Sequence, residues 1–231
     1  MIRSIFAVSV SSFVLVGAAQ AETRTYDVAG FTAIDVSAGL DVVFEAGPPQ
    51  SVTVENKSGD FDDIRVTVKN DTLVLTRAKQ MNWGWGKREQ YTVTVFAPVL
   101  SGVEASSGAD IDGSGLSGDI VRIDVSSGAD VSVSAIDADE VILDTSSGSD
   151  LTASGTCNSV LAESSSGSDI MAKDLVCVSG EADASSGSDI AIHASDRIYA
   201  DVSSGADVIV YGAPAYSEIE KSSGGSVDIR R

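Results

Sequence analysis

Around residue 121 the chain falls into strict alternation. Val121, Ile123, Val125, Ser127, Ala129, Val131 and Val133 are apolar or small, and the positions between them, Arg122, Asp124, Ser126, Gly128, Asp130, Ser132 and Ser134, are polar or glycine. A period of two marks a β-strand with one covered face, because successive side chains point to opposite sides. A helix competes poorly here, since Gly, Ser, Asp and β-branched residues dominate the window. The alternation puts Ser127 and its equivalents inside, bonded to backbone near a turn. The phase is kept elsewhere: Val42, Ile111, Val131, Leu151, Ile170, Ile190, Val208 and Val227 each stand three residues after a glycine.

Those glycines belong to a repeated pentapeptide, Ser-Ser-Gly-(Ala/Ser)-Asp. Its copies begin at Ser106, Ser126, Ser146, Ser165, Ser185 and Ser203, 18 to 20 residues apart, with a degenerate copy at Ser222 and an outlier at Ser37. A strand-rich unit of this length predicts an all-β, single-domain parallel β-helix, whose coils stack at the strand spacing of ~4.8 Å. Equivalent positions then form columns along the axis, and the Val, Ile, Leu and Ala columns make the core. The repeat glycine is predicted at a corner with positive φ. A propeller blade needs ~40 residues, too long for this period.

The segment before the repeats is less regular. Residues 31–36, 41–46, 51–55, 64–68, 72–77 and 91–96 read as strands, with Asn70-Asp71 as a hairpin turn. Residues 31–37 already carry the repeat's phase, so residues 22–104 are expected to open and cap the same solenoid that 105–231 continues. Residues 1–21 read as a signal peptide: Arg3, an apolar stretch from Ile5 to Val16, and a small-residue cleavage site at Ala19-Gln20-Ala21. Export to the periplasm or cell surface of a bacterium follows as an expectation. No second apolar stretch long enough for a membrane span appears.

Charge narrows the partners. The formal net charge is −19, and loss of Arg3 with the leader makes it one unit more negative. With no basic stripe to neutralise phosphates, nucleic acid is excluded as a partner, and docking on anionic lipid is disfavoured.

Several ordered pieces resemble a known family. Gly30-Phe31-Thr32-Ala33-Ile34-Asp35-Val36, then Asp41-Val42-Val43-Phe44, Thr72-Leu73-Val74-Leu75, Val93-Thr94-Val95-Phe96-Ala97-Pro98-Val99-Leu100, the Ser-Gly-(Ser/Ala)-Asp repeats and Tyr211-Gly212-Ala213-Pro214 are together similar to the head GIN domain family of putative autotransporter adhesins. The resemblance spans nearly all of the chain beyond the leader. It implies a right-handed-type β-helix in the cell envelope and brings no catalytic residues with it.

Candidate chemistry lies in three places. The first is a pair of acidic columns. Asp41, Asp110, Asp130, Asp150, Asp169, Asp189 and Asp207 stand two residues after the repeat glycines, and Asp35, Glu104, Asp124, Asp144, Glu163, Asp183, Asp201 and Glu220 four before them. Stacking like charges costs roughly 1 kcal/mol per neighbouring pair in water. Either Ca²⁺ offsets this, with Asp110, Asp130, Asp150, Asp169, Asp189, Asp207, Asp124, Asp144, Asp183 and Asp201 as candidate ligands, or the aspartates cap the corners by local hydrogen bonds and water screens the rest. The second is the loop holding Trp83, Trp85, Lys87 and Arg88, which suits either stacking on sugars or gripping a protein, or else covers the end of the solenoid. The third is Cys157 and Cys177, each ten residues before its glycine and so neighbours on adjacent coils; they form either a disulfide or two buried thiols. His193, the only histidine, reads as a surface or corner residue. No serine has a positioned base to activate it.

These observations predict a non-enzymatic envelope protein that presents a rigid β-helix to a glycan or another envelope component, with no cofactor beyond the calcium alternative. The rivals are a polysaccharide-acting enzyme and a Ca²⁺-stiffened spacer. The enzyme would need convergent acids in a cleft, whereas the acids of this chain are periodic.

Overall fold

The computed structural model describes residues 21–78 and 89–230. The expected leader, Ala21 apart, and the loop with Trp83, Trp85, Lys87 and Arg88 lie outside the described residues. Among the described residues about 68% are strand and none is helix, and the strands wind into a β-solenoid of about six turns.

The regular coils are built from β8 (Gly102–Ala105), β9 (Asp110–Ser114), β10 (Ser117–Ser126), β11 (Asp130–Ser146), β12 (Asp150–Ser165), β13 (Asp169–Ala184), β14 (Asp189–Val202), β15 (Asp207–Tyr211), β16 (Tyr216–Lys221) and β17 (Ser226–Ile229). Each pairs in parallel with the equivalent segment of the next coil. Val131 faces Ile111 and Leu151, and Ile123 faces Val103 and Leu143. The columns predicted from the repeat phase are therefore real columns. Val42, Ile111, Val131, Leu151, Ile170, Ile190 and Val208 are all buried, and Val227 in the last coil is half-buried.

The Ser-Ser-Gly corner explains the repeat. Ser127 and Gly128 both have positive φ, 57° and 69°, and the Ala129 amide closes the turn on the Ser126 carbonyl at 3.3 Å. Two consecutive left-handed residues define a type I′-like turn, for which glycine at the second position carries no Cβ penalty. The turn swings Ser127 out to solvent, which corrects the inward placement expected from alternation. Buried hydroxyls lie one residue after the glycine, at Ser149, Ser168 and Ser188, and three before it, at Thr145 and Ser164. Ser149 Oγ sits 2.9 Å from the Val125 carbonyl of the preceding coil, and Ser188 Oγ donates to Ser164 O at 2.8 Å.

The strands of the N-terminal segment do not stack in chain order. Its strands are β1 (Glu22–Tyr26), β2 (Ala33–Val36), β3 (Asp41–Ala46), β4 (Ser51–Asn56), β5 (Ile64–Lys69), β6 (Thr72–Arg77) and β7 (Tyr91–Ala97). β2 and β3 stack on β8 and β9 in the repeat's own register, with Asp41 opposite Asp110. β6 and β7 form a further coil below them, also parallel. Antiparallel strands then end the stack: β5 on β6 through the Asn70-Asp71 turn, and β4 on β7 with β1 outermost. At the other end β16 and β17 each have a neighbour on one side only.

Packing within the columns is complementary. The ring of Phe44 fills the space of its register partner on the next coil, Gly113, where an added Cβ would lie 1.9 Å from a ring carbon. A large residue facing a small one keeps the interior close-packed.

Candidate functional site

Both acidic columns point outward. Asp110, Asp130 and Asp150 are exposed and mutually in register, as are Asp169, Asp189 and Asp207 along the same line, Asp169 being half-buried. Partial burial and then the neighbouring carboxylates raise the acidities' midpoints: Asp110 by Asp41 and Asp130, Asp150 by Asp169 and Asp130, Asp189 by Asp169 and Asp207. In the second column Glu104, Asp124 and Asp183 are raised in the same way, burial first. Local contacts relieve part of the repulsion. The Asp189 amide donates to the Asp169 carboxylate at 3.2 Å, and Arg122 lies 3.9 Å from Asp124. The corners themselves are closed by backbone bonds, as from Ala129 and Ala206, or by a serine hydroxyl, as where Ser149 and Ser168 donate to the carbonyls of Ser146 and Ser165. Each carboxylate meets copies of itself, so the columns are ladders; among the described residues no three His, Cys, Asp or Glu side chains converge into a metal-binding group.

The N-terminal cap holds a buried polar clamp that sequence reading missed. Arg77, with a side chain only 7% exposed, bonds Asp63 at 3.0 Å, the Ala38 carbonyl at 3.0 Å and the Glu89 carbonyl at 2.6 Å, and lies 4.9 Å from the centre of the Tyr91 ring. Tyr91 donates to Asp63, and burial together with that carboxylate pushes its phenol well above the ordinary range. The Ala78 amide donates to the Asp63 carbonyl at 2.6 Å. Ala78 and Glu89 flank residues 79–88, so the clamp fixes both ends of the segment that carries Trp83 and Trp85.

Cys157 and Cys177 are register partners on adjacent coils, with Cα atoms 4.6 Å apart and their sulfurs joined in a disulfide. His193 is half-buried on β14, opposite Tyr211 of β15, and its Nδ1 has no hydrogen-bond partner.

A second surface, also missed, lies near the C-terminal end. Arg197 and Tyr199 project outward from β14, and Tyr216 and Glu218 from β16. The register sets Arg197 opposite Tyr216 and Tyr199 opposite Glu218. With Ile198 and Ser217 they line a groove of about 320 Å³. Tyr216 is 65% exposed, the most solvent-exposed aromatic residue among those described.

The order of strands, the glycine corners and the cap now stand beside one further finding. A family model described as "Putative auto-transporter adhesin, head GIN domain" matches residues 30–214. The chain belongs to this family. Solved structures agree on the architecture of the head GIN fold. A "putative adhesin" from Bacteroides fragilis superposes with a TM-score of 0.80 at 20% identity, covering 92% of this chain and 98% of that one. A "putative lipid binding protein" from Parabacteroides distasonis gives 0.69 at 15% identity, covering 91% and 97%. A "putative adhesin" from Parabacteroides merdae gives 0.66 at 14%, covering 93% and 98%. At these identities the likeness is one of fold. No curated protein matches the chain. The matched span of the head GIN family includes the clamp, the acidic ladders up to Asp207 and Asp201, the disulfide and Arg197 and Tyr199, and ends two residues before Tyr216.

Proposed function

We propose that this protein is an exported, non-enzymatic component of the bacterial envelope that works by holding a rigid surface against a glycan or another envelope molecule. Membership of an adhesin family supports surface binding as the general role. The observation that carries the proposal is the in-register ladder. Parallel pairing runs from β2 and β3 through β17, and in the two acidic columns carboxylate faces carboxylate from coil to coil, from Asp41 to Asp207 and from Asp35 to Glu220. Hydrolysis by paired acids needs two carboxyl groups of different environment at a set separation across a substrate. A ladder of like groups in like environments is suited to solvation and long-range repulsion, and leaves recognition to the places where the repeat is interrupted. Residues 79–88 are one such interruption, held at its stem by Arg77.

The test is binding of the protein lacking residues 1–21 to purified bacterial envelope fractions, beside a variant carrying Trp83→Ala and Trp85→Ala. Saturable binding by the parent chain, weakened in the variant, supports the reading. Release of soluble fragments from the envelope material by the parent chain would replace it with the enzyme reading, and absence of any binding would leave the spacer.

A further inference from the structure

We propose that Arg197, Tyr199, Tyr216 and Glu218 form a subsite for an uncharged saccharide chain on the outer face of the last coils. The inference rests on the binding role above and gives it a second location and a ligand class.

The four side chains are a consequence of the repeat. Tyr199 and Glu218 stand six residues before Gly205 and Gly224, and Arg197 and Tyr216 eight before them, so parallel register brings them together as a square on two adjacent strands. On normal sheet spacings the two tyrosines occupy a diagonal of about 8 Å. In the preceding coil the same two columns hold Ser179 and Glu181, opposite Arg197 and Tyr199. Earlier coils carry Leu161, Ile142 and Arg122 in the column of Tyr199, and Ser159, Glu140 and Ile120 in the column of Arg197, so these two columns turn aromatic only at Tyr199 and Tyr216. A single exposed aromatic is ordinary, but two set diagonally along a groove make one apolar surface rimmed by polar groups, an arrangement that suits a ligand.

The chemistry selects the occupant. A pyranose offers an apolar face and a rim of hydroxyls. Tyrosine supplies a flat apolar surface with a polar edge, while Arg197 donates and Glu218, Glu181 and Ser217 accept. A groove of about 320 Å³ is of small-ligand size. A protein partner would need a larger apolar centre, and here the tyrosines are ringed by charge: Glu181, Asp201, Glu218 and Glu220 all act on the Tyr199 phenol, which burial and then these carboxylates raise above its ordinary value. The same carboxylates outnumber Arg197 and repel uronic and sialic acids. A polycation would associate with the acidic surface anywhere, so it is not what this square distinguishes.

The experiment is calorimetric titration of the protein lacking residues 1–21 with maltohexaose, cellohexaose and mannohexaose, and with hexagalacturonate as the anionic control. At least one neutral chain should bind, with hexagalacturonate at least tenfold weaker. Tyr216→Ala should weaken that binding at least tenfold with an unchanged melting temperature, and Tyr216→Phe, which keeps the ring, should stay within about threefold of the parent. If none of the three neutral chains binds, or if Tyr216→Ala binds them as the parent does, the subsite is wrong. Envelope binding by the same samples separates the two proposals: retained envelope binding with no saccharide binding overturns only the subsite, and loss of both overturns the binding role as well.

Discussion

Replacing Arg77 by Met tests the account of the N-terminal cap. The substitution keeps much of the apolar stem and removes the guanidinium. Asp63 then loses its ionic partner at 3.0 Å, and the carbonyls of Ala38 and Glu89, at 3.0 and 2.6 Å, lose a charged donor. The site is nearly closed to water, with side chains 7% and 17% exposed for Arg77 and Asp63. Removing one partner of such a pair costs about 3–5 kcal/mol, because the other charge stays buried. Set against a typical total of about 5–15 kcal/mol, that is a large share. In a solenoid each coil is stabilised by its neighbours, so the loss should appear first as local opening of β5 to β7 and of the corner at Ala38. Urea unfolding at pH 7 measures the total, and amide hydrogen exchange locates it. The double variant with Asp63→Asn should recover part of the loss, since no uncompensated charge remains. A change below about 1 kcal/mol, or faster exchange spread evenly through β11 to β14, would refute the clamp.

Further outcomes follow from packing and charge. Gly113→Ala would set a methyl 1.9 Å from the Phe44 ring, so it should destabilise by at least about 1–3 kcal/mol; adding Phe44→Leu should return part of this in thermal melts, and equal destabilisation in the double variant would contradict the packing. Asp110, Asp150 and Asp189 in one ladder, and Asp35, Glu104, Asp124 and Asp183 in the other, have folded midpoints raised above their ordinary values, burial being the largest cause. A raised carboxylate favours the folded state fully below its unfolded value, and that contribution is lost as pH rises through the folded value. The melting temperature should therefore climb as pH falls from 7 toward about 4, and a monotonic decrease over that window would contradict the ladders. At pH 7 added NaCl should raise the melting temperature by screening, and near pH 4 this effect should shrink. Ca²⁺ and Mg²⁺ at equal concentration should raise the melting temperature alike; a saturable shift seen with Ca²⁺ alone would instead reveal coordinated sites.

The regular half of the fold was legible because one geometric rule, a strand pair per 18 to 20 residues, repeats with its phase intact. The corner was legible as a glycine, but not the outward turn of Ser127, since alternation has no way to register two successive left-handed residues. The cap was only half legible. β1 has the sequence Glu-Thr-Arg-Thr-Tyr, an edge strand exposed along most of its length, and so shows no alternation. Stacking of β6 and β7 beneath β2 and β3 depends on long-range pairing that no local pattern encodes. Arg77 looked like an ordinary strand-end cation because its partners are spread from Ala38 to Glu89. The Tyr199 and Tyr216 pair was readable in principle: counting back six residues from Gly205 and eight from Gly224 sets them diagonally on adjacent strands.

The central claim is that this chain binds and does not transform what it binds. The direct measurement is to incubate the protein lacking residues 1–21 with purified envelope polysaccharide, separate bound from free material, and weigh both by mass spectrometry. The account predicts saturable retention with chain lengths unchanged after prolonged incubation. Progressive shortening of the polysaccharide, scaling with protein concentration and time, would contradict it.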